Sequence, residues 1–408
     1  MPMRPGVVRL TGLLVVAAAG CASAASQSKA PGGAPATQPT SVPTRAAIPA
    51  ARGTSAAADT WPMFRGDAQN TGVAGSGLPE KLEVRWRFAV PGGEAIESTA
   101  AIAGGVVYVG CDEGYLYALD LGSGKPKWKY KARDAIKSSP TVLNDTVYFG
   151  DDEGVMHAVE RSLGAARWTF KTEGQIISSV NVQDGRILFG SYDSFLYCVD
   201  AKDGSLVWKY QAADRLHATP GLADGCVLIA GCDARLHVIR VRDGRLLRQV
   251  ELDAVCGASA ATRGERVYLG TYGETVLGID WRVGRVLWTY QHAVKKFPYM
   301  SSAAVTDELV IVGGRDKIIR ALDARSGAVR WEVERRGRID SSAVIVGTRV
   351  FFGASDGTLA ALDLETGREL WTFEAGGAIS ASPAVAEGCL VIGTLDGVVY
   401  CFSGARGP

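Results

Sequence analysis

Charge of one sign is missing from this chain: 44 basic side chains stand against 43 acidic ones in 408 residues, a formal net charge of +1. No basic stripe offsets that balance, so the sequence carries no electrostatic footprint for nucleic acid. Long apolar runs are missing too. Beyond the first twenty residues none approaches the length of a bilayer-spanning helix, which excludes an integral membrane protein of that kind. Histidine is down to four residues without metal-ligand spacing, and no two of the eight cysteines are adjacent or form a C-x-x-C. Prolines number only 16, and no stretch repeats with a helical period. What the chain has is glycine, 50 residues or about one in eight, without a collagen period. With 47% apolar residues to build a core, that abundance implies many short strands joined by tight turns.

The N-terminus reads as an address. Arg4 and Arg9 precede an apolar run over residues 10–19, of secretory h-region length. It ends in Ala18-Ala19-Gly20-Cys21, which resembles the lipobox of bacterial lipoproteins, with Ala18 where leucine is usual. The resemblance implies a signal peptide over residues 1–21, lipidation of Cys21, and membrane attachment through that lipid alone. An ordinary signal peptide cut near Ala22 to Ala24 is the alternative. Ala22, where an inner-membrane retention signal has aspartate, implies the periplasmic face of the outer membrane. Residues 22–58 are built from small residues and proline and cannot bury a core. They read as a flexible tether spanning roughly 35 Å.

From there the chain repeats. Trp86, Trp128, Trp168, Trp208, Trp288, Trp331 and Trp371 fall at a period near forty, with Arg248 in the one empty slot. Each unit holds four short alternating runs separated by Gly/Asp/Asn turns, the grammar of an antiparallel four-stranded sheet. Such a sheet has two apolar faces to hide, and radial stacking as propeller blades hides both. Seven complete units precede an eighth that ends after three strands. At the other end Val84-Arg85-Trp86-Arg87-Phe88 is a fourth strand without a blade. The expected fold is therefore all-β: an eight-bladed β-propeller over residues 59–408, closed by that N-terminal strand.

The motif Ala118-Leu119-Asp120, Gly124, Trp128 resembles the tryptophan-docking motif of the PQQ-like β-propeller repeat family. Blades two, six and seven match it as well. Cys198 and Gly278 replace its small first residue, and Val238, Arg240 and Arg248 depart most. The motif is structural: the tryptophans are expected to pack between blades, the glycine to make a tight turn, and the small residue to let blades approach. Residues 61–72 resemble the lead-in segment that precedes many such propellers. The family holds both quinoprotein dehydrogenases and the non-catalytic assembly lipoproteins typified by BamB. Here the adjacent cysteines of the dehydrogenases are missing and the blades are nearly minimal in length. The resemblance to the BamB family implies a scaffold that docks to the outer-membrane protein assembly machinery or another envelope protein, without PQQ or calcium. A quinoprotein binding PQQ and Ca²⁺, and a propeller recognising a small ligand or glycan, are the other readings.

Site candidates come from where the repeat fails to repeat. The residues at the head of strand A are Glu97, Lys137, Ile177, His217, Gly257, Met300, Asp340 and Ser380, which differ in charge, size and polarity. After Trp288 the connection to the next strand is longer, and its insertion carries Lys295 and Lys296 beside Phe297 and Tyr299, aromatics of the kind enriched at interfaces. Glu97, Lys137, His217, Lys295, Lys296, Phe297, Tyr299, Met300 and Asp340 are the partner-binding candidates, and no residue is assigned to catalysis or to a metal. Asp112-Glu113 and Asp151-Asp152-Glu153 read as a solvated acidic rim, His157 and His237 as packing residues. The cysteines read as buried small hydrophobes, with one disulfide among Cys226, Cys232 and Cys256 left open.

Overall fold

The computed structural model describes residues 59–405; Cys21, the signal peptide and the tether expected from the sequence lie outside them. Among the described residues, 32 strands form eight separate four-stranded sheets. Blade one takes Ala101–Ala103, Val106–Gly110, Tyr115–Asp120 and Pro126–Lys131 as its strands A to D. Strands A of successive blades lie side by side around the axis. The last sheet joins Ala384–Ala386, Cys389–Gly393 and Val398–Ser403 to Glu83–Ala89 from the opposite end of the chain. The expected eight-bladed propeller with its N-terminal closing strand is the fold. Among the described residues no helix is long and apolar enough to cross a membrane.

Local chemistry explains the blades. Two-residue A–B hairpins carry positive φ at both central positions, as in Asp184 and Gly185 (51° and 71°), the conformation that Asp-Gly favours. Strands B and C are buried almost throughout, whereas strand D alternates between exposed and half-buried. Each motif tryptophan then ties its blade to the next. The indole N–H of Trp86, Trp128, Trp168, Trp208, Trp288 and Trp331 donates to a carbonyl of the following blade at 2.8–3.2 Å. The motif glycine of that following blade is the floor beneath the indole: a Cβ on Gly204 would come within 2.6 Å of Trp168. The small first residue has a different task from the one expected. It pairs across the sheet with the tryptophan of its own blade, as Ala118 with Trp128 and Gly278 with Trp288. A Cβ on Gly278 would meet the Trp288 indole at 2.2 Å.

Two blades depart from this scheme. Arg248 lays its alkyl stem over Gly284, taking the place of an indole. The residue that would receive the indole's bond is itself a tryptophan, Trp281, buried and donating to the Gly264 carbonyl at 3.0 Å. Trp371 stacks on Phe373 and meets Phe402 of blade eight edge-on, at 5.4 Å and 83°.

At the axis the ring closes a second time. Just before strand A, each blade carries a hydroxyl: Thr99, Ser139, Ser179, Thr219, Ser259, Ser302, Ser342 and Ser382. Each accepts the backbone N–H of its counterpart in the preceding blade, at 2.9–3.2 Å, and the Ser382 N–H returns to Thr99. The eight bonds make an unbroken girdle. Beneath it the lead-in runs around the inner edges of the A strands. Its carbonyls from Trp61 to Gly72 accept N–H groups from Ile102, Val142, Leu222, Thr262, Val305 and Ile345, while Asn181 reaches the Ala68 carbonyl. The lead-in thus touches seven blades. Arg65, wholly buried, donates to the carbonyls of Ala303 and Ala343 at 3.1 and 2.6 Å. Burial pulls its guanidinium down to about 9, with Asp67 opposing.

A comparison of two glycines separates packing from backbone strain. Gly204 and Gly185 have φ of 74° and 71°, but an added Cβ meets Trp168 at the first and nothing within 4 Å at the second. Gly204→Ala is expected to cost ~2 kcal/mol more than Gly185→Ala in guanidinium unfolding. Equal losses would show that the indole yields without cost.

Candidate functional site

The A strands, two or three residues long, leave room at the axis for a cavity of about 190 Å³, lined by all eight head residues, by the hydroxyl girdle and by Phe64 of the lead-in. The head residues form its mouth because they lead into strand A on the side opposite the A–B turns. Glu97, Lys137, His217, Met300 and Asp340, dispersed over 244 positions of sequence, thus come together.

Most of the charge at the mouth is held. Lys137 pairs with Asp152 at 2.9 Å. Asp340 is gripped by Arg315 at 2.8 Å and by Arg338 at 3.2 Å. The Tyr192 hydroxyl bonds His217 Nδ1 at 2.8 Å. Burial, with Arg215 and Lys137 nearby, lowers His217 to about 4, so the imidazole is neutral at neutral pH. Ser380 turns a buried Oγ without a protein partner into the same region. Asp112 is pushed up to about 6, by burial first and then by Glu97, against the pull of Lys137. Its Oδ1 is buried without a partner.

The insertion after blade five is ordered by its own histidine. His292 Nδ1 accepts the N–H groups of Val294 and Lys295, at 3.2 and 2.8 Å. The turn presents Val294 at 82% and Phe297 at 49% exposure, beside exposed Lys296. Lys295 reaches Glu334 at 2.7 Å.

Tyr299 does not join them. It is 1% exposed, under Gly270, with Arg320 donating to its hydroxyl at 2.9 Å. Its register is that of Ile136, Ile176, Ile339 and Ile379, which fill the same place in other blades, and an apolar slot claims the ring. That register was the signal against reading it as an interface residue. The acidic rim is also partly a core feature. Asp151 is fully buried and bonds His157 Nε2 at 2.9 Å, while the Tyr130 hydroxyl bonds the opposite ring nitrogen at 3.1 Å. Burial alone would raise Asp151, but the histidine and backbone N–H groups bring it below the usual carboxylate range. Asp233, His237 and Tyr210 repeat the arrangement in blade four. Cys111, Cys198, Cys226, Cys256, Cys389 and Cys401 are buried free thiols, so Cys226 and Cys256 form no disulfide. Among the described residues no group of three or more His, Cys, Asp or Glu is placed to hold a metal ion.

The girdle was missed from sequence, although a Ser or Thr at eight successive registers was its signal. Buried Arg65 and Arg320 were missed as well, since each occurs once and follows no period.

The sequence profile of a family described as "Outer membrane protein assembly factor BamB" matches residues 80–176, 143–260 and 193–408. The chain belongs to this family. A comparison with curated protein sequences finds no match. Among solved structures, BamB from Moraxella catarrhalis is similar at a TM-score of 0.69 and 18% identity, over 79% of this chain and 100% of that one. A quinohemoprotein alcohol dehydrogenase from Comamonas testosteroni is similar at 0.74 and 14%, over 86% and 82%. A europium-containing methanol dehydrogenase follows at 0.70 and 13%, over 85% and 98%. The fold is common to the BamB family and to these dehydrogenases.

The raised carboxyl gives a pH test. Asp112 takes up its proton near 6 in the fold, against 3.8 for an ordinary aspartate carboxyl. The folded state therefore binds that proton more readily, and the ionised group costs stability above pH 6, a cost that vanishes as pH falls toward about 4. Asp112→Asn is expected to stabilise by on the order of 1 kcal/mol at neutral pH, after allowance for its partial exposure, and by nothing near pH 4. Thermal unfolding at both pH values checks this; a gain at both would assign the effect to packing.

Proposed function

We propose that the chain is a non-catalytic scaffold, lipid-anchored at Cys21 to the periplasmic face of the outer membrane. In this reading it serves the assembly of outer-membrane β-barrel proteins, or docks another envelope protein, and holds neither PQQ nor calcium. The observation that carries the proposal is the insertion at residues 292–298. A ring of near-identical blades raises an ordered turn that exposes a phenyl and a valine beside a lysine, apolar groups that a partner would cover. Membership of the BamB family supports the assembly role.

The axial residues do not fit the cofactor of a quinoprotein. The cavity of about 190 Å³ lies below the usual range for organic ligands, and Phe64 is the one aromatic in its lining. Asp340 is already held by two arginines, and Glu97 stands two blades away from it. PQQ titrated with Ca²⁺ is accordingly expected to show no saturable binding.

The direct test is a crosslinked pull-down of the tagged protein from membranes, read by mass spectrometry. Recovery of the barrel-assembly machinery supports the assembly role, whereas failure to enrich any envelope protein sinks the scaffold reading. Alanine at Lys295, Lys296 and Phe297 together is expected to reduce partner capture by about tenfold with the melting temperature unchanged. Those side chains are exposed or paired only at the surface, so a large loss of stability would show that the turn is structural.

A further inference from the structure

The girdle leaves a polar account open at the axis. Each of its eight oxygens accepts an amide N–H, yet among the described residues none of the eight hydroxyl protons has a protein acceptor. The adjacent residues behave otherwise: Ser138, Ser178 and Ser301 donate to the carbonyls of Ser178, Ala218 and Gly313. The girdle hydroxyls belong to residues only 3–5% exposed, and all eight line the axial cavity. A hydroxyl that accepts from an amide becomes a better donor. Eight such hydroxyls line the cavity with protons free to turn toward an acceptor at the axis.

A second observation points the same way. The fully buried Arg65 guanidinium donates through Nη2 to the carbonyls of Ala303 and Ala343, the residues next to girdle members Ser302 and Ser342. Its Nε and Nη1 have no protein partner. A buried cation is thus bonded to the residues next to two members of the ring, although it does not itself line the cavity. The carboxylates in the lining do not cancel this: Asp340 is neutralised by Arg315 and Arg338, and Glu97 stands exposed at the rim.

We infer that the girdle binds a tetrahedral oxyanion, phosphate or sulfate. Its oxygens can accept directly from hydroxyls on part of the ring and through water from the others, and a cavity of about 190 Å³ holds such an ion with a few waters, given roughly 30 Å³ per water. The site lies at the axis, apart from the insertion on the rim that carries the scaffold reading, although the head residues counted among the partner-binding candidates form its mouth.

Inorganic phosphate titrated into the full-length protein and followed by ³¹P line broadening is the test. Saturable broadening is expected, displaced by sulfate and not by chloride at equal ionic strength. Ser139→Ala with Ser179→Ala is expected to weaken binding about tenfold, and Thr at both positions, which keeps the hydroxyls, to preserve it. Glu97→Gln, which leaves the girdle intact, is expected to tighten binding severalfold by removing a like charge from the entrance; this variant keeps the test open should the alanine pair fail to fold. Broadening that never saturates would mean that the axis holds water alone. Saturable binding that both the alanine pair and Glu97→Gln leave unchanged would place the anion elsewhere. Either result overturns the inference.

Discussion

The pairing of Glu83–Ala89 with Val398–Ser403 closes a circle in which every member needs both neighbours. A blade alone exposes two apolar faces, and only a completed ring covers all sixteen. The closing strand acts twice, because it also carries Trp86, whose indole rests on Gly124 and bonds the Leu121 carbonyl of blade one. Sheet pairing and blade docking are thus joined in one seven-residue segment. The girdle repeats that closure at the axis with the bond from Ser382 to Thr99. Inner and outer rims are fastened separately, so the geometry of the mouth is set by the whole ring.

The fold was almost wholly legible in the sequence because its determinants recur. A tryptophan near every forty residues, with a glycine four before six of the seven, states the same instruction in blade after blade, and a departure in one copy does not obscure it. Blade four shows the tolerance: Arg248 replaces the indole, and Trp281 supplies aromatic bulk from the receiving side. The convergence of Glu97, Lys137, His217, Met300 and Asp340 on one cavity was legible for the same reason, since equal register means equal height on the axis. What could not be read were contacts that happen once. Arg65 reaches carbonyls 238 and 278 residues away, and no local pattern announces such a bond. Tyr299 misled because its chemistry suits an interface, while its register assigns it to the core.

The division between uniform and individual parts organises the molecule. Tryptophans, glycines and hydroxyls build a frame with little variation, and the frame holds its odd residues at fixed positions. At the mouth these odd residues are mostly restrained: Lys137 by Asp152, Asp340 by two arginines, His217 by Tyr192. On the rim the turn at residues 292–298 is ordered from within by His292, which accepts the N–H groups of Val294 and Lys295. Preordering of that kind lowers the entropy lost on association.

The lead-in has a consequence for the order of events when the chain is made. Residues 61–72 leave the ribosome before any blade exists, yet their bonds are to seven blades, the last of which is finished some 300 residues later. The first part of the domain to be synthesised is therefore among the last to find its place. Until then the inner edges of the A strands lack the carbonyls they bond in the finished ring, and the buried site of Arg65 stands unfilled. Contacts so distant in sequence make for slow assembly, and this segment ties the completion of folding to the completion of synthesis.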